Sequence, residues 1–547
     1  MRRNSASFVY DPLFHVSTIH SFVWELIAPF TEDIKEWLRE KLTTDIDDLK
    51  LKISSARDIN GKTAQQHIRK RDSKSKRLDE LSLVKEFSYS PTSNKVERGT
   101  VSHEEVIQLT ASLLNESSLL QKILVNRYPI LLIDESQDTR KELMEAFIRT
   151  QSLNRSKFSI GLFGDLMQRI YSGGKDDLED ALPEDWKTPS KIVNYRSPKR
   201  IVSLINKIRS EGDGKKQAPV DKAAQGVVRL FIVDSLNAKK TEVENYIRHK
   251  MSSIAEDVAW LEPDETKVLT LEHAMAANRG NFDKFYMPLS KVSYLKDSLL
   301  NGTNTSLRFL CNQFLPLVNA IKEKNDFLIT NIIKKHSNII SSNNNSFCTN
   351  PIAKLKEIDH SVSSVSSMVV GSDPSIFEVL KLIDKSNLLY LPDTLKALFV
   401  EADREPNKNE DEASEITLAW ESALNAPVSH LNNYSLYLSE KLGFGTHQGV
   451  KGLEFDRVVA IMDDDDSNGF LFKYEKLFGA KALSKTDIQN QSGGRDCVIS
   501  RTRRLFYVIC SRAQKSLAVV AYTQEPKAVK NKSLTSGWFM EDEIEMI

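Results

Sequence analysis

Two adjacent carboxylates, Asp134 and Glu135, close the apolar run Tyr128-Pro-Ile-Leu-Leu-Ile-Asp-Glu-Ser-Gln-Asp-Thr139. A short apolar run bounded by polar residues reads as a buried central strand of a parallel sheet, and such sheets place their ligands beyond the carboxyl ends of the strands. Acids delivered to that point can hold a metal ion and the phosphates it neutralises. A core strand running into an acidic surface turn would look the same, so the pair alone does not decide. A second apolar run, Phe158-Ser-Ile-Gly-Leu-Phe-Gly-Asp165, also finishes on an acid.

These runs need elements to position them. Between them Arg140 to Thr150 has helical spacing, which makes a βαβ plan. Ahead of them Ser102 with Glu105 forms a capping-box pattern that opens a helix, apolar through Leu114. Phe14 to His20 reads as a strand and turn, followed by a helix from Ser21 to Phe30. From Thr31 to about Arg98 the chain is charged, with the basic run His67-Ile-Arg-Lys-Arg-Asp-Ser-Lys-Ser-Lys-Arg77, either a solvated helix face or a phosphate-contacting patch. Beyond Trp186 the α/β pattern restarts: a helix at Arg200–Arg209 and strands at Val227–Val233 and Val268–Leu271. A mainly helical stretch then runs from Asn278 to Asn432, with polar Ser341–Ser346 and acidic Glu410–Glu415. It gives way to a Gly-rich loop, a strand at Val458–Met462, a helix at Arg504–Ala513 and a strand at Leu517–Tyr522. The acids Asp463 to Asp466 read as a solvated strand end.

The chain has 547 residues, enough for several cores. Its 75 basic residues balance 75 acidic ones, so a nucleic-acid surface has to be a local patch. The four cysteines, Cys311, Cys348, Cys497 and Cys510, lack zinc-site spacing and do not suggest a disulfide framework, which fits reduced thiols and a cytoplasmic protein. No apolar run reaches the roughly 18 residues of a membrane span, and no signal-peptide apolar region follows Met1.

Several separated segments remain to be explained together: Asp134-Glu-Ser-Gln-Asp-Thr139, Gly164-Asp-Leu-Met-Gln-Arg-Ile-Tyr171, Asn194-Tyr-Arg-Ser197, Gly445-Thr-His-Gln-Gly-Val-Lys-Gly-Leu-Glu-Phe455 and Arg503-Arg-Leu-Phe-Tyr-Val-Ile-Cys-Ser-Arg-Ala513. In this order they resemble the motor motifs of UvrD/Rep-type superfamily 1 DNA helicases. Ser17-Thr-Ile-His-Ser-Phe22 resembles the family's early DNA-contacting motif. The resemblance implies an α/β fold of two RecA-like parallel-sheet motor domains, each interrupted by a mainly helical insertion. The first motor domain would take residues 1–36 and 100–188, with 37–99 inserted. The second would take 189–277 and 433–547, with 278–432 inserted.

Phosphoryl transfer is catalysed by positioning and charge stabilisation, which requires a metal holder, a residue that orients water, and cations near the γ-phosphate. The resemblance implies ATP and Mg²⁺ as cofactors, Asp134 as the metal holder and Glu135 as the activator of water. It also implies Gln168 as the γ-phosphate sensor, Tyr195 stacked on adenine, Arg196 and Arg512 as arginine fingers, and Glu454, with Gly452 beside it, at the ribose. Thr18, His20, Phe22, Thr446 and His447 would contact single-stranded DNA, or DNA with a single-stranded tail, in 3′-to-5′ movement. Tyr195 is also readable as a plain core aromatic; for Phe506 and Tyr507 that is the preferred reading. Relatives act in repair, in recombination or beside a nuclease in defence against phage. A separate nuclease partner is compatible with that, although no residue speaks for one.

The sequence departs from the family in three places. Ser172-Gly-Gly174 stands where relatives often carry a base-stacking aromatic, and Arg501-Thr502 replaces two acids that often open the last motif. The family's phosphate loop, G-x-x-x-x-G-K-[ST], is expected ahead of Ser17 and is not found there. A near match, Ala56-Arg-Asp-Ile-Asn-Gly-Lys-Thr63, has Ala for the first Gly, no preceding apolar strand and the wrong place in the order. The expectation is therefore a helicase truncated at its N-terminus, with little ATP turnover as the chain stands. The alternative is an ATPase-defective DNA-binding or scaffold protein that keeps the fold.

Overall fold

The computed structural model describes residues 13–56, 58–89, 99–170, 178, 181–236, 238–302, 304–337, 351–401, 411–467, 471–493 and 495–547. The chain divides into two compact units between Pro189 and Ser190.

In the first unit, strands β1 (Ile130–Ile133) and β2 (Ser159–Leu162) pair in parallel, with Leu132 opposite Gly161. Helices Ile19–Ile27, His103–Glu116 and Lys141–Leu153 contribute Phe22, Leu26, Val106, Leu109, Met144 and Phe147 to one core, which Ile133 joins from the sheet. The capping box at Ser102 and Glu105 is present as expected and starts the second of these helices. The other face of the sheet is open: Ile130 is 66% exposed, Leu132 64% and Phe163 52%. This corrects the reading of Tyr128–Thr139 as a strand buried on both sides, since only alternate residues meet the helices. Phe14–His20 forms no strand. Thr18 instead caps the helix that begins at Ile19, its hydroxyl accepting from the Ser21 amide at 3.3 Å.

Helices Thr31–Ser54 and Lys62–Glu80 form the charged part of this unit. The basic run lies on the second of them and is partly used internally. Arg77 pairs with Glu105 at 2.6 Å and Lys74 with Asp45 at 2.7 Å, while Arg69, Lys70 and Lys76 are exposed.

The second unit is built on six parallel strands: β3 (Val227–Asp234), β4 (Lys267–Thr270), β5 (Phe444–Thr446), β6 (Phe455–Met462), β7 (Ala513–Thr523) and β8 (Ile544–Met546), in the spatial order β8-β3-β7-β6-β4-β5. The long central strands β7, β6 and β3 are nearly continuous apolar runs, and buried parallel strands require this. Helices Lys199–Ser210 and Val498–Cys510 bury their apolar sides on this framework. Between β4 and β5 the described residues are mainly helical, with a core of their own around Phe282, Phe285, Phe314, Leu317 and Tyr434.

The first half of the acidic run after β6 is not solvated, although Asp465 is exposed. Asp463 is 1% exposed and pairs with Lys240 at 2.6 Å, and Asp464 accepts from the Tyr474 and Glu475 amides. The basic partners come from elsewhere in the chain, so local sequence could not show them. No group of three or more His, Cys, Asp or Glu side chains placed to hold a metal ion occurs among the described residues. Ser172–Gly174 and Ser341–Ser346 lie outside the described residues. No described helix is long and apolar enough to cross a membrane. The described cysteines, Cys311, Cys497 and Cys510, are free thiols.

Candidate functional site

At the carboxyl end of β1 the chain turns sharply. Glu135 adopts left-handed backbone angles, φ 49° and ψ 41°, a conformation that costs a residue with a Cβ about 1 kcal/mol or more. The Asp134 carboxylate caps the turn by accepting the Glu135 amide at 3.0 Å. Asp134 is exposed and Glu135 half-buried.

Gln137 holds the turn against the next strand. Its side-chain amide donates to Glu135 Oε2 at 2.6 Å, and its carbonyl oxygen accepts from the Asp165 amide at 3.2 Å. Asp165 in turn accepts from Gln168 Nε2 at 3.2 Å. A hydrogen-bonded chain thus runs from Glu135 through Gln137 and Asp165 to Gln168, linking the two strand ends. Gly164 makes room for it: a Cβ there would lie 2.1 Å from Gln137 Oε1. Sequence reasoning gave Gln137 no role. Its signal is an amide, 1% exposed in the structure, standing between acids just beyond an apolar strand.

A single exposed carboxylate suits a magnesium ion, which usually takes one or two carboxylates and completes its shell with phosphate and water oxygens. Asp134 therefore fits as the protein's contribution to such an ion.

The DNA-contact candidates of this unit are placed differently from one another. Thr18 is exposed at a helix start. The His20 ring stacks on that of His103, with centroids 3.2 Å apart, and burial beside a second imidazole lowers its pKa to about 4. Phe22 is buried against Tyr128, so its ring packs the core and offers no surface.

In the second unit Asn194, Tyr195 and Arg196 form a tight turn. Asn194 Oδ1 accepts the amides of Arg196 and Ser197, at 3.0 and 2.9 Å. Tyr195 is 84% exposed, which excludes the core-aromatic reading. The Arg196 guanidinium donates to Glu454 Oε2 at 2.8 Å. These residues, with Lys191, Val193, Gln217 and Gln514, line an open cavity of about 430 Å³.

Arg512 departs from the expectation of a reaching finger. It is 1% exposed and donates to the Val508 and Leu453 carbonyls, at 3.0 and 3.2 Å, and to Ser511 Oγ at 3.0 Å. Its own carbonyl accepts the Phe455 amide at 2.9 Å. Arg512 thus grips the segment that presents Glu454. Gly452, just before it, has φ +82°, which favours glycine.

Thr446 is nearly buried, and its hydroxyl accepts from the Gly449 amide at 3.0 Å. His447 is fully buried. One ring nitrogen lies 3.1 Å from the Leu269 carbonyl and must donate to it, so the other accepts from the Tyr474 hydroxyl at 2.9 Å. Burial lowers its pKa to about 3. A ring so enclosed positions the loop and cannot touch DNA directly.

The near match Ala56–Thr63 joins helix to helix. The element before it is Thr31–Ser54, and Gly61 caps Lys62–Glu80 without a side-chain bond. A phosphate loop follows a strand, so this segment lacks the required setting.

Residues 13–174 match the family model described as UvrD/REP helicase N-terminal domain. That stretch of the chain is similar to the N-terminal domain of UvrD/REP helicases. The chain is 23% identical over 607 aligned residues to the Gabija protein GajB of Bacillus cereus (strain HuB5-5), covering 92% of the chain and 84% of that protein. It is also 30% identical over 114 residues to the RecBCD enzyme subunit RecB of Chlamydia trachomatis serovar D, and 30% identical over 110 residues to that of Buchnera aphidicola subsp. Schizaphis graminum. Those two matches span 20% of the chain and only 11% and 9% of the respective proteins.

Proposed function

We propose that the chain is an ATP-dependent DNA helicase or translocase with two RecA-like motor domains, moving 3′-to-5′ on single-stranded DNA or on duplex with a single-stranded tail. The observation that carries this reading is the link from Glu135 through Gln137 and Asp165 to Gln168, which ties a water-activating carboxylate to a phosphate-sensing amide at the carboxyl end of a parallel sheet. Asp134 would hold Mg²⁺, which supplies charge neutralisation at the phosphates when bound. Glu135, fixed by Gln137, would take the proton of the attacking water. Gln168 would report the γ-phosphate to the Asp165 strand end. Arg196 would exchange Glu454 for phosphate oxygens, and Tyr195 offers a face on which a base can stack.

A second reading, an ATPase-defective DNA-binding or scaffold protein, draws on one observation: the helix-to-helix setting of Ala56–Thr63. Hydrolysis also needs amides and a lysine around the phosphates, so residues 1–547 by themselves are expected to turn over ATP slowly. Substantial turnover that Lys62→Ala abolishes would restore that segment as the phosphate loop. The relatives named as subunits of the RecBCD enzyme work within an assembly, so a separate partner protein, for which a nuclease is the candidate, is a natural extension of either reading.

The discriminating experiment is ATP hydrolysis with and without single-stranded DNA, measured on the natural protein as its gene encodes it. DNA-stimulated turnover supports the motor. DNA binding with a steep inverse salt dependence but no turnover supports the scaffold.

A further inference from the structure

The turn that presents Tyr195 and Arg196 depends on which way the Asn194 amide faces. Its oxygen must point at the Arg196 and Ser197 amides, so its nitrogen must find an acceptor on the other side. That acceptor is Gln217 Oε1, at 2.7 Å. Gln217 could equally present its own NH₂ there, which would put donor against donor and turn Asn194 over.

Two features hold Gln217 the right way round. Its backbone is clamped by Asn206, whose Oδ1 accepts from the Gln217 amide at 2.8 Å and whose Nδ2 donates to the Gln217 carbonyl at 2.7 Å. Its side-chain Nε2 donates to the Tyr507 hydroxyl at 3.0 Å. Tyr507 is 1% exposed, on the helix Val498–Cys510. The Arg209 guanidinium lies over its ring and donates to the same hydroxyl oxygen at 3.1 Å. The phenol oxygen has acceptor capacity for both donors, so it takes the Arg209 guanidinium hydrogen and the Gln217 amide hydrogen together.

We infer that Gln217 and Tyr507 are positioning residues: a directed chain of hydrogen bonds from Arg209 and the Tyr507 hydroxyl through Gln217 sets the Asn194 amide, and with it the turn that offers Tyr195 and Arg196 to a nucleoside triphosphate in the 430 Å³ cavity. The nucleotide part rests on the function proposed above. The aromatic that sequence alone assigns to the core thus contributes its hydroxyl to the site while its ring packs. The helix that carries Tyr507 ends beside Arg512, which grips the segment presenting Glu454. The two partners of the Arg196–Glu454 pair are therefore held from one helix and from the residue just beyond its C-cap.

The test separates the hydroxyl from the ring. Tyr507→Phe keeps the packing and removes the acceptor; Gln217→Ala removes the relay; Arg196→Ala reports on the site itself. Hydrogen exchange is read at the Arg196 and Ser197 amides, and ATP affinity is measured by equilibrium titration of the natural protein. In Tyr507→Phe and Gln217→Ala these two amides should exchange about tenfold faster, with the helix Lys199–Ser210 unchanged, and ATP should bind about tenfold more weakly. A purely structural role would leave Tyr507→Phe like the wild type. Unchanged protection of both amides in Tyr507→Phe overturns the inference. So does unchanged ATP affinity in that variant when Arg196→Ala lowers it. If Arg196→Ala leaves ATP binding unaltered, the nucleotide reading of the cavity fails, and the exchange result alone decides the positioning.

Discussion

The two units carry their chemistry on unequal supports. In the second, the six-stranded sheet is covered: Leu230, Phe231, Ile232, Val458, Ala460, Val519 and Val520 are almost wholly excluded from solvent. In the first, the two-stranded sheet that bears Asp134 and Glu135 packs helices on one face and leaves Ile130 and Leu132 open on the other. Parallel sheets normally hide both faces, and a pair of strands is marginal without cover. The turn at Glu135 must therefore draw its rigidity from the Gln137 link to the neighbouring strand more than from sheet packing. The Arg196 turn draws it from a buried helix.

The largest effects should mark the covered unit. Arg200 is buried and doubly paired with Glu543 at 2.6 Å, so Arg200→Ala should cost about 3–5 kcal/mol in urea unfolding because it strands a buried carboxylate. Next, Leu230→Ala in β3 should cost about 2–5 kcal/mol, whereas Leu132→Ala should stay within about 0.5 kcal/mol. Equal costs would mean that the open face of the first unit is covered in solution. Native-state hydrogen exchange should rank the units in the same order, β1 and β2 opening at lower free energy than β3 and β7.

A smaller effect should appear with pH. His447 is held neutral, its pKa lowered from 6.5 to about 3 by burial. Between those values the unfolded chain takes up a proton that the folded one refuses, so stability is full above pH 6.5 and is lost as pH falls toward 3. His447→Gln should flatten that slope; an unchanged slope would show that other groups dominate it. Small in stability as well is Gly164→Ala, where the flexible Gln137 side chain can yield to the new Cβ. That variant should unfold within about 1 kcal/mol of the wild type yet lose much of its ATP turnover, because the Glu135–Gln137 bond is displaced.

What the sequence revealed was local or periodic. The capping box at Ser102, the strand ends at Asp134 and Asp165, and the strands β3, β4, β6 and β7 follow from patterns within a few residues, whereas the short β5 falls in a stretch that reads as a Gly-rich loop and β8 carries no such pattern. Features that depend on distant partners were hidden. Ile130 and Leu132 read as core because apolar residues in a strand carry no sign of whether a layer will cover them. Asp463 and Asp464 read as solvated because Lys240 and the amides at Tyr474 and Glu475 are not beside them in sequence. His447 and Arg512 stand in helicase-like motifs but are enclosed by Leu269, Tyr474, Val508 and Leu453. Gln137 and Gln217 lacked any motif role, since an amide earns one only through the groups at its two ends.

On the function proposed above, Glu135, set by Gln137, activates water at an ATP site. The most direct test of this role is single-turnover ATP hydrolysis by the natural protein and by its Glu135→Gln variant, with ATP binding measured alongside on single-stranded DNA. Hydrolysis should fall by about 10²–10⁴-fold in the variant with ATP binding retained. Equal hydrolysis by the two proteins would contradict it.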